Sequence, residues 1–257
     1  MTKILVAGYT GSMGQQVLKL IKETPDFQLV AVFSPSARKD DRARFDLDEN
    51  VAIFSKLEDI KTDAKVWIDF TVPSAVVANM EFALNHGMYP VVGTTGATQE
   101  ELSKLQELAK QNNLGGLVAP NFGMSAVLLM KFAKEAAKYF NDVEIIEMHH
   151  DDKKDAPSGT ALMTAKLIAE ERKDTPKRKE VETLEHVRGG DYDGIKIHSV
   201  RLPGYVAHEQ VLFGGKGEAL TIRQDSFDRV SFMNGVKIAV EKVTTLNELV
   251  IGLENIL

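Results

Sequence analysis

The sequence predicts an α/β protein, in which an N-terminal doubly wound parallel sheet is followed by an inserted α+β domain and a C-terminal helix. Two observations support this fold class. Up to about residue 122, short and continuously apolar runs alternate with segments of helical periodicity, as in strands buried on both faces. Beyond that point, strand-like runs alternate apolar with polar residues, which is typical of a sheet with one wet face.

The first half of the chain is predicted to alternate strand and helix. The continuous apolar runs predict strands at 3–7, 28–33, 65–70, 89–92 and 116–119. Apolar residues at helical spacing predict helices at 12–23, through 76–84 and from 98 to about 108. Thr98 and Glu101 form a capping-box pattern that opens the last of these helices. The polar stretch 34–50 is interpreted as a mobile surface loop that could border a cofactor.

The second half is predicted to fold as a separate α+β domain. Helices are expected at 125–140 and 160–171, and strands at 143–148, 195–202, 207–213 and 219–224. A glycine-rich hairpin turn is expected at 214–217, a charged and turn-rich segment at 171–194, and a helix from about 229. We therefore expect a first domain at 1–122, completed by 229–257, and a second domain at 123–228.

Composition limits the classes of function. The 257 residues carry a formal net charge of −6, which argues against nucleic acid as the main partner. The chain contains no cysteine, so thiolate metal sites and cysteine nucleophiles are excluded. No apolar run is long enough to span a membrane, and the N-terminus lacks a signal-peptide pattern. A cytoplasmic protein without membrane or nucleic-acid partners is the expectation.

A glycine-rich turn follows the first predicted strand, with glycines at positions 8, 11 and 14. Glycines allow the backbone to turn sharply and to approach a pyrophosphate, which binds the N–H groups at the start of the following helix. The simpler alternative is a tight strand-to-helix turn. The position of the turn, between the first strand and first helix of an alternating fold, favours a dinucleotide site.

The adenosine end of such a site is usually defined by the end of the second strand. An acidic residue there would bind the ribose hydroxyls, but this strand ends in Ser34 and carries no carboxylate. The nearby Arg38 and Lys39 could bind a 2′-phosphate, or they could form a solvated charge run. An acidic ribose ligand could instead come from Asp40 or Asp41. The loops Gly93–Gly96 and Pro120–Phe122 each follow a strand and would together surround the nicotinamide end.

The segment 147–161 concentrates acid–base and anion-binding groups between a predicted strand and a predicted helix. His149 and His150 are adjacent, so in a strand their side chains would point to opposite faces, which disfavours joint metal binding. A histidine is a natural proton donor near neutral pH, and Lys153 could supply a second proton or hold an anion. The Pro157–Thr160 turn opens a helix whose N–H groups could hold a carboxylate, or it could be a simple cap.

The run from Glu147 to Ala161 closely resembles the signature of the bacterial 4-hydroxy-tetrahydrodipicolinate reductase (dihydrodipicolinate reductase) family. The resemblance extends to the glycine turn at 8–14, the loops 93–96 and 120–122, and the Gly217-Glu218 hairpin. It implies an N-terminal Rossmann-like domain and a second domain that binds substrate and assembles a homotetramer. It also implies reduction of a small dicarboxylate, with NADH or NADPH as cofactor, on the diaminopimelate route to lysine.

The resemblance assigns a role to particular residues of this chain. His149 would be the general acid/base and Lys153 the second proton donor. His150, Gly159 and Thr160 would bind the substrate. The implied cofactor-binding residues are Gly8, Tyr9, Thr10, Gly11, Ser12, Met13, Ser34, Gly93, Thr94, Thr95, Ala119, Pro120, Asn121 and Phe122. No metal is implied. The pattern departs from some members at Ser12, Ser34 and Pro35, which leaves the choice between the two cofactors open.

Two other functions are compatible with the same fold. A two-domain semialdehyde dehydrogenase would need a cysteine nucleophile, which this chain lacks. A non-catalytic dinucleotide sensor would not need the cluster of two histidines and a lysine. Consumption of NAD(P)H distinguishes an enzyme from a sensor.

Overall fold

The computed structural model describes residues 1–175 and 181–257, and the chain divides into two compact units. The first unit contains Met1–Phe122 and Phe232–Leu257, and the second contains Gly123–Ser231. Positions 176–180 of the predicted charged segment lie outside the described residues.

The strands are β1 (Thr2–Ala7), β2 (Phe27–Phe33), β3 (Ala52–Phe54), β4 (Val66–Asp69), β5 (Tyr89–Val92), β6 (Gly116–Val118), β7 (Asp142–His149), β8 (Gly190–Tyr192), β9 (Ile195–Arg201), β10 (Ala207–Gly215), β11 (Glu218–Ser226) and β12 (Leu249–Ile251). The α-helices are α1 (Ser12–Glu23), α2 (Asp41–Arg44), α3 (Val76–Asn85), α4 (Gln99–Gln111), α5 (Met124–Ala136), α6 (Gly159–Glu171) and α7 (Met233–Val243). Short 3₁₀ turns occur at Leu57–Asp59, Arg229–Phe232 and Leu253–Ile256.

The first unit is a seven-stranded sheet in the order β12-β6-β5-β4-β1-β2-β3, with every neighbouring pair parallel. Helix α1 packs with α7, and α3 packs with α4, so helices cover a sheet whose strands are buried and apolar. Trp67 lies in one core cluster and Met80 in another. The predicted α/β fold class, with a Rossmann-like parallel sheet, is confirmed.

Two parts of the first unit differ from the sequence prediction. The stretch 34–50 is more than a surface loop, because it contains α2 and buries Asp41 and Leu47. Strands β3 and β12 were not predicted, since three residues are too few to show a periodicity. The C-terminal segment therefore adds an edge strand to the sheet as well as a helix.

The second unit is a five-stranded mixed sheet in the order β11-β10-β7-β9-β8. Strands β7 and β9 run parallel, and the remaining neighbours run antiparallel. Helix α5 contacts β10 and β11, while α6 contacts β7, β8 and β9. The predicted hairpin connects β10 to β11, and Gly217 at its tip has φ +83°, a conformation that favours glycine. Strand β8, only three residues long, was not predicted.

Within residues 1–175 and 181–257, no helix combines the length and apolarity needed to cross a membrane.

Candidate active site

The glycine turn brings the start of α1 against the end of β1. Gly8 has φ +80°, and a Cβ built there would lie 2.2 Å from the carbonyl oxygen of Phe70. A Cβ on Gly14 would lie 2.2 Å from the carbonyl oxygen of Gly8. Neither position has room for a side chain, so both glycines are required by close backbone packing. The turn ends at Gly11, whose position before α1 leaves the first N–H groups of the helix available to an anion.

Three hydroxyl groups gather where β1 and β2 end. Ser34 Oγ lies 2.9 Å from Ser36 Oγ, and Thr10 Oγ1 lies 3.4 Å and 3.5 Å from these two oxygens. Each hydroxyl can donate or accept a hydrogen bond. Ser34, a predicted cofactor residue, thus lies next to Thr10 of the glycine turn, as expected if both bind one dinucleotide. Ser36, which was not among the predicted cofactor residues, lies beside them.

Asp41, one of the two alternative ribose ligands, is buried beneath the loop that follows β2. Its carboxylate is buried and accepts hydrogen bonds from Tyr9 Oη at 2.5 Å and from the Arg38 backbone N–H at 2.9 Å. The hydrogen bond from Tyr9 is the main cause that lowers the pKa of Asp41; burial opposes it, and the hydrogen bond from the Arg38 amide adds a smaller lowering. Burial, followed by the bond to Asp41, raises the pKa of Tyr9. Tyr9 therefore fixes the loop after β2 and is itself fully buried.

Asp69, at the end of β4, organises the loops beside the expected nicotinamide end and was missed from the sequence. Its buried carboxylate accepts hydrogen bonds from Thr94 Oγ1 at 2.7 Å, Thr71 Oγ1 at 2.7 Å and Asn79 Nδ2 at 2.8 Å. Trp67 Nε1 donates to it at 3.1 Å. Thr94 is one of the predicted cofactor residues, so its side chain acts as an anchor of its loop.

The remaining predicted residues of the first unit lie after β5 and β6. A Cβ on Gly93 would lie 2.1 Å from the Phe70 ring, and that ring packs on Phe122 with centroids 5.8 Å apart. The backbone N–H of Ala119 donates to Val92 at 2.9 Å. Gly93–Thr95 and Ala119–Phe122 therefore lie side by side, at the same edge as the glycine turn.

In the second unit, the predicted acid/base residue is held by a buried carboxylate. His149 Nδ1 lies 2.5 Å from Glu147 Oε2, two residues earlier on β7, and Glu147 is fully buried. Arg201, at the end of β9, binds both oxygens of Glu147 at 2.8 Å. Burial alone would raise the pKa of Glu147, but hydrogen bonds from His149, Arg201 and Ser199 lower it to about 2. Glu147 is thus a permanent anion beneath His149.

The two histidines do not lie on opposite faces of a strand, contrary to the sequence expectation. Strand β7 ends at His149, so the alternation of side chains ends before His150. The two rings lie 6.5 Å apart at 76° to one another. His150 pairs with Asp152 and is more exposed than His149.

Lys153 is held by a neighbouring carboxylate. Its Nζ donates to both oxygens of Asp155, at 2.7 Å and 2.9 Å. The hydrogen bond from Lys153 lowers the pKa of Asp155. Arg201 also donates to the backbone carbonyl of Asp155 at 2.7 Å, which attaches this loop to β9. Asp155 therefore accepts from two of the three N–H donors of the lysine.

The start of α6 lies against the same buried carboxylate. The Ser158 N–H donates to Glu147 Oε1 at 3.2 Å, and the Ser158 hydroxyl caps α6 by accepting from the Ala161 N–H. A Cβ on Gly159 would meet nothing within 4 Å, so this position faces open space. Glu147 thus joins His149 and the predicted carboxylate cradle at Gly159 and Thr160.

Sequence reasoning identified the groups that could react but missed those that hold them. Arg201 was not singled out, and Glu147 and Asp155 were noted only as members of the 147–161 run, with no role assigned. The only sequence feature that could have pointed to Arg201 as a site residue is its position as a charged residue at the end of a predicted strand. In the described part of the chain, no group of three or more histidines and carboxylates could hold a metal ion.

Taken together, a Rossmann-like unit with a glycine turn and a second unit with a buried acid–base group define a two-domain, dinucleotide-dependent oxidoreductase. Family models for dihydrodipicolinate reductase match the chain at residues 2–122 (N-terminus) and 125–257 (C-terminus). The chain therefore belongs to the dihydrodipicolinate reductase family, and the resemblance seen in the sequence is confirmed. The predicted class, an NAD(P)H-dependent oxidoreductase, is confirmed with it.

Individual relatives agree over the full length. The 4-hydroxy-tetrahydrodipicolinate reductase of Lactobacillus acidophilus is 64% identical over 262 residues, covering 100% of this chain and 99% of the relative. That of Limosilactobacillus fermentum is 62% identical over 259 residues and covers 100% of both. The solved dipicolinate-bound dihydrodipicolinate reductase from Paenisporosarcina sp. TG-14 is 46% identical, with a TM-score of 0.91 and 100% coverage of both chains.

Proposed function

We propose that the chain reduces 4-hydroxy-tetrahydrodipicolinate to tetrahydrodipicolinate with NADH or NADPH, in the cytoplasm, on the diaminopimelate route to lysine. The observation that carries this proposal is the His149 imidazole held on buried Glu147 beside the start of α6. This arrangement provides a proton donor and an anion site together. The full-length relatives named above carry the corresponding activity in their names.

The first unit would hold the dinucleotide. Its pyrophosphate fits the N–H groups that follow Gly11, because Gly8 and Gly14 allow the tight turn from β1 into α1 and no side chain caps the start of the helix. The adenosine ribose fits the hydroxyls of Thr10, Ser34 and Ser36. The loops 93–95 and 119–122 would line the nicotinamide. When bound, the reduced cofactor would supply a hydride to the carbon–carbon double bond conjugated with the ring imine, which forms as the substrate loses its 4-hydroxyl group as water.

The second unit would bind the substrate and supply the proton. Glu147 can only accept a hydrogen bond, so the His149 Nδ1 carries a proton and donates it. The opposite nitrogen, Nε2, is then free to take up a proton from solvent, and the resulting imidazolium gives that proton to the enamine that the reduction creates. Lys153 either supplies a second proton or holds a carboxylate, through the N–H donor that Asp155 does not use.

The carboxylate cradle would be formed by His150, Gly159 and Thr160. The N-terminus of α6 carries partial positive charge, and Gly159 faces open space. The Paenisporosarcina relative was solved with dipicolinate, a planar pyridine dicarboxylate. We therefore expect the same compound to inhibit this protein in competition with the substrate.

The test is a coupled assay in which the substrate is generated enzymatically and loss of the reduced cofactor is followed by absorbance. His149→Gln should lower kcat by about 10²–10⁴ and leave the dissociation constant for NADPH nearly unchanged. Asp151→Asn is the control, because Asp151 is exposed, and its effect should be much smaller. Near wild-type kcat in His149→Gln would exclude the proposed role, and a wild-type protein that never consumes the cofactor would favour a sensor.

We propose that both cofactors are used, with NADPH modestly preferred. No carboxylate stands among Thr10, Ser34 and Ser36 to repel a 2′-phosphate, and Asp41 is occupied by Tyr9. The exposed Arg38 can pair with that phosphate. The preference should fade as salt rises, because exposed charge pairs are screened. A strong preference for NADH that salt does not change would contradict this proposal.

We propose that the protein is a homotetramer assembled through the sheet of the second unit. Helices α5 and α6 cover the face that carries Val143 and Ile145. The opposite face carries Ile146, Val200 and Leu212, whose side chains are only partly buried. Light scattering of the eluting protein should give four times the chain mass. A monomer at micromolar concentration would refute the assembly but not the activity.

A further inference from the structure

Glu147 is the point where three elements of the second unit meet. One oxygen, Oε2, accepts from His149 Nδ1 and Arg201 Nη1, and the other, Oε1, accepts from Arg201 Nη2 and the Ser158 N–H. The carboxylate thereby links the end of β7, the end of β9 and the start of α6. Both oxygens lie in fully buried surroundings, where a hydrogen bond to an ionised group is strong.

The chemistry of a carboxylate restricts the state of the histidine. An ionised Glu147 has no proton to donate, so it fixes the His149 tautomer that carries the proton on Nδ1. A glutamine in its place could either accept from Nδ1 or donate to it, so both tautomers would become available. In the second tautomer Nε2 carries the proton of a neutral ring, and Nε2 could no longer accept one.

The charged groups around Glu147 stabilise its ionised form. Arg201 from β9 and His149 from β7 face it, and Glu209 faces it from β10, where it is paired with Glu147 across the two strands. Among the described contacts Glu209 makes no hydrogen bond to Glu147, whereas Arg201 donates to both of its oxygens and is the cation that compensates the buried charge. Removing that negative charge would leave Arg201 as a partly buried, poorly compensated cation.

We propose that Glu147 is a positioning residue for the reaction: its carboxylate fixes the tautomer and ring orientation of His149 and compensates the positive charge that the ring acquires. This proposal rests on the proposed function above. The role is distinct from that of His149, because Glu147 would act on the reaction only through the imidazole.

The test is a double-mutant cycle between Glu147→Gln and His149→Gln. The single Glu147→Gln change should lower kcat by roughly 10- to 10³-fold, within the range that a general acid contributes, with a smaller effect on KM. In the His149→Gln background, the same change should cost no more than about threefold, since residues that act as one unit are not additive. The alkaline limb of the kcat profile should also move to lower pH, because the charged ring loses its anionic partner.

Glu144→Gln is the matched control. Glu144 lies on the same strand and also binds an arginine and a histidine, Arg188 and His198, but it stands three residues away on the other face of the sheet. The elution volume of the Glu144→Gln variant should be compared with that of the wild type, because Glu144 lies on the face of the sheet proposed for assembly. The kcat of this variant should stay within about twofold of the wild-type value. If Glu147→Gln fails to fold, the cycle is run with Glu147→Gln/Arg201→Gln, which removes the uncompensated charge as well.

A readout independent of turnover separates this proposal from the proposed function. Solid-state ¹⁵N spectra of histidine-labelled protein, with the His149 signals assigned by their loss in His149→Gln, report the protonated ring nitrogen. We expect a protonated Nδ1 in the wild type and a mixture in Glu147→Gln. The positioning role is refuted if the spectrum does not change, or if the kcat losses in the cycle multiply. A wild type without reductase activity would overturn the function alone.

Discussion

Glu209 provides a test of the electrostatics beneath the candidate active site. It lies on β10 opposite Glu147, is only 2% exposed, and its Oε1 has no hydrogen-bond partner among the described residues. Burial raises the pKa of Glu209 to about 7, and the charge of Glu147 adds to this rise, against a hydrogen bond with Thr164 that lowers it. Glu209 is therefore largely neutral below pH 7 while Glu147 remains ionised.

The pH dependence of stability follows from this difference. In the unfolded chain the glutamate has its ordinary pKa of 4.5, so between pH 4.5 and 7 the folded protein binds more protons than the unfolded chain. The contribution of Glu209 is fully present below pH 4.5 and is lost as pH rises through 7. At about 1.4 kcal/mol per pKa unit, the loss is limited to about 3 kcal/mol. Glu209→Gln has no proton to lose and should therefore be more stable than the wild type above pH 8.

Urea denaturation at pH 5 and pH 8.5, followed by circular dichroism, measures the effect. Trp67 is the only tryptophan and lies in the first unit, so its fluorescence reports a region that does not contain Glu209. We expect the stability gap between wild type and variant to change by about 1–3 kcal/mol in favour of the variant from pH 5 to pH 8.5. A gap that is the same at both pH values would refute the reasoning.

Two further changes test the binding sites. Gly159→Leu should raise KM for the dicarboxylate and leave the NADPH dissociation constant unchanged. The leucine side chain would enter the open space before α6, where the substrate carboxylate is expected to bind. A loss of cofactor affinity with an unchanged KM would contradict this. Ser36→Asp should lower kcat/KM for NADPH more than for NADH, because a carboxylate beside Ser34 and Thr10 would repel a 2′-phosphate. Equal losses for the two cofactors would place the phosphate elsewhere.

Much of the fold could be predicted because its signals are local. The buried strands β1, β2, β4 and β5 are continuous apolar runs, and the Thr98–Glu101 capping box was legible in the sequence and is present in the structure. Strands β3, β8 and β12 were missed because three residues show no period, and they form only by pairing with longer neighbours. Such edge strands are determined by tertiary contacts that no sequence window contains.

In the candidate site too, residues close together in sequence could be predicted, and residues brought in by tertiary contacts could not. His149, Lys153 and the 157–160 turn lie within twelve residues of one another, so their chemistry is visible in one stretch of sequence. Arg201, which binds Glu147, lies 54 positions away from it, and its side chain could have pointed to either face of β9. The assignments of site residues therefore stay predictions, now with stated contacts that mutation can test.

Glu147 and Glu209 illustrate why two like groups on facing strands need not share a protonation state. Arg201, His149 and the Ser158 N–H surround Glu147, and hydrogen bonds, chiefly from His149 and Arg201, lower its pKa despite its burial. Glu209 is buried without a cationic partner among its described contacts, and the anion opposite makes its own ionisation harder. Neutral Glu209 in turn avoids like-charge repulsion against Glu147. The negative charge that orients His149 is thus concentrated on one carboxylate, because ionising Glu209 as well would place a second buried anion beside Glu147.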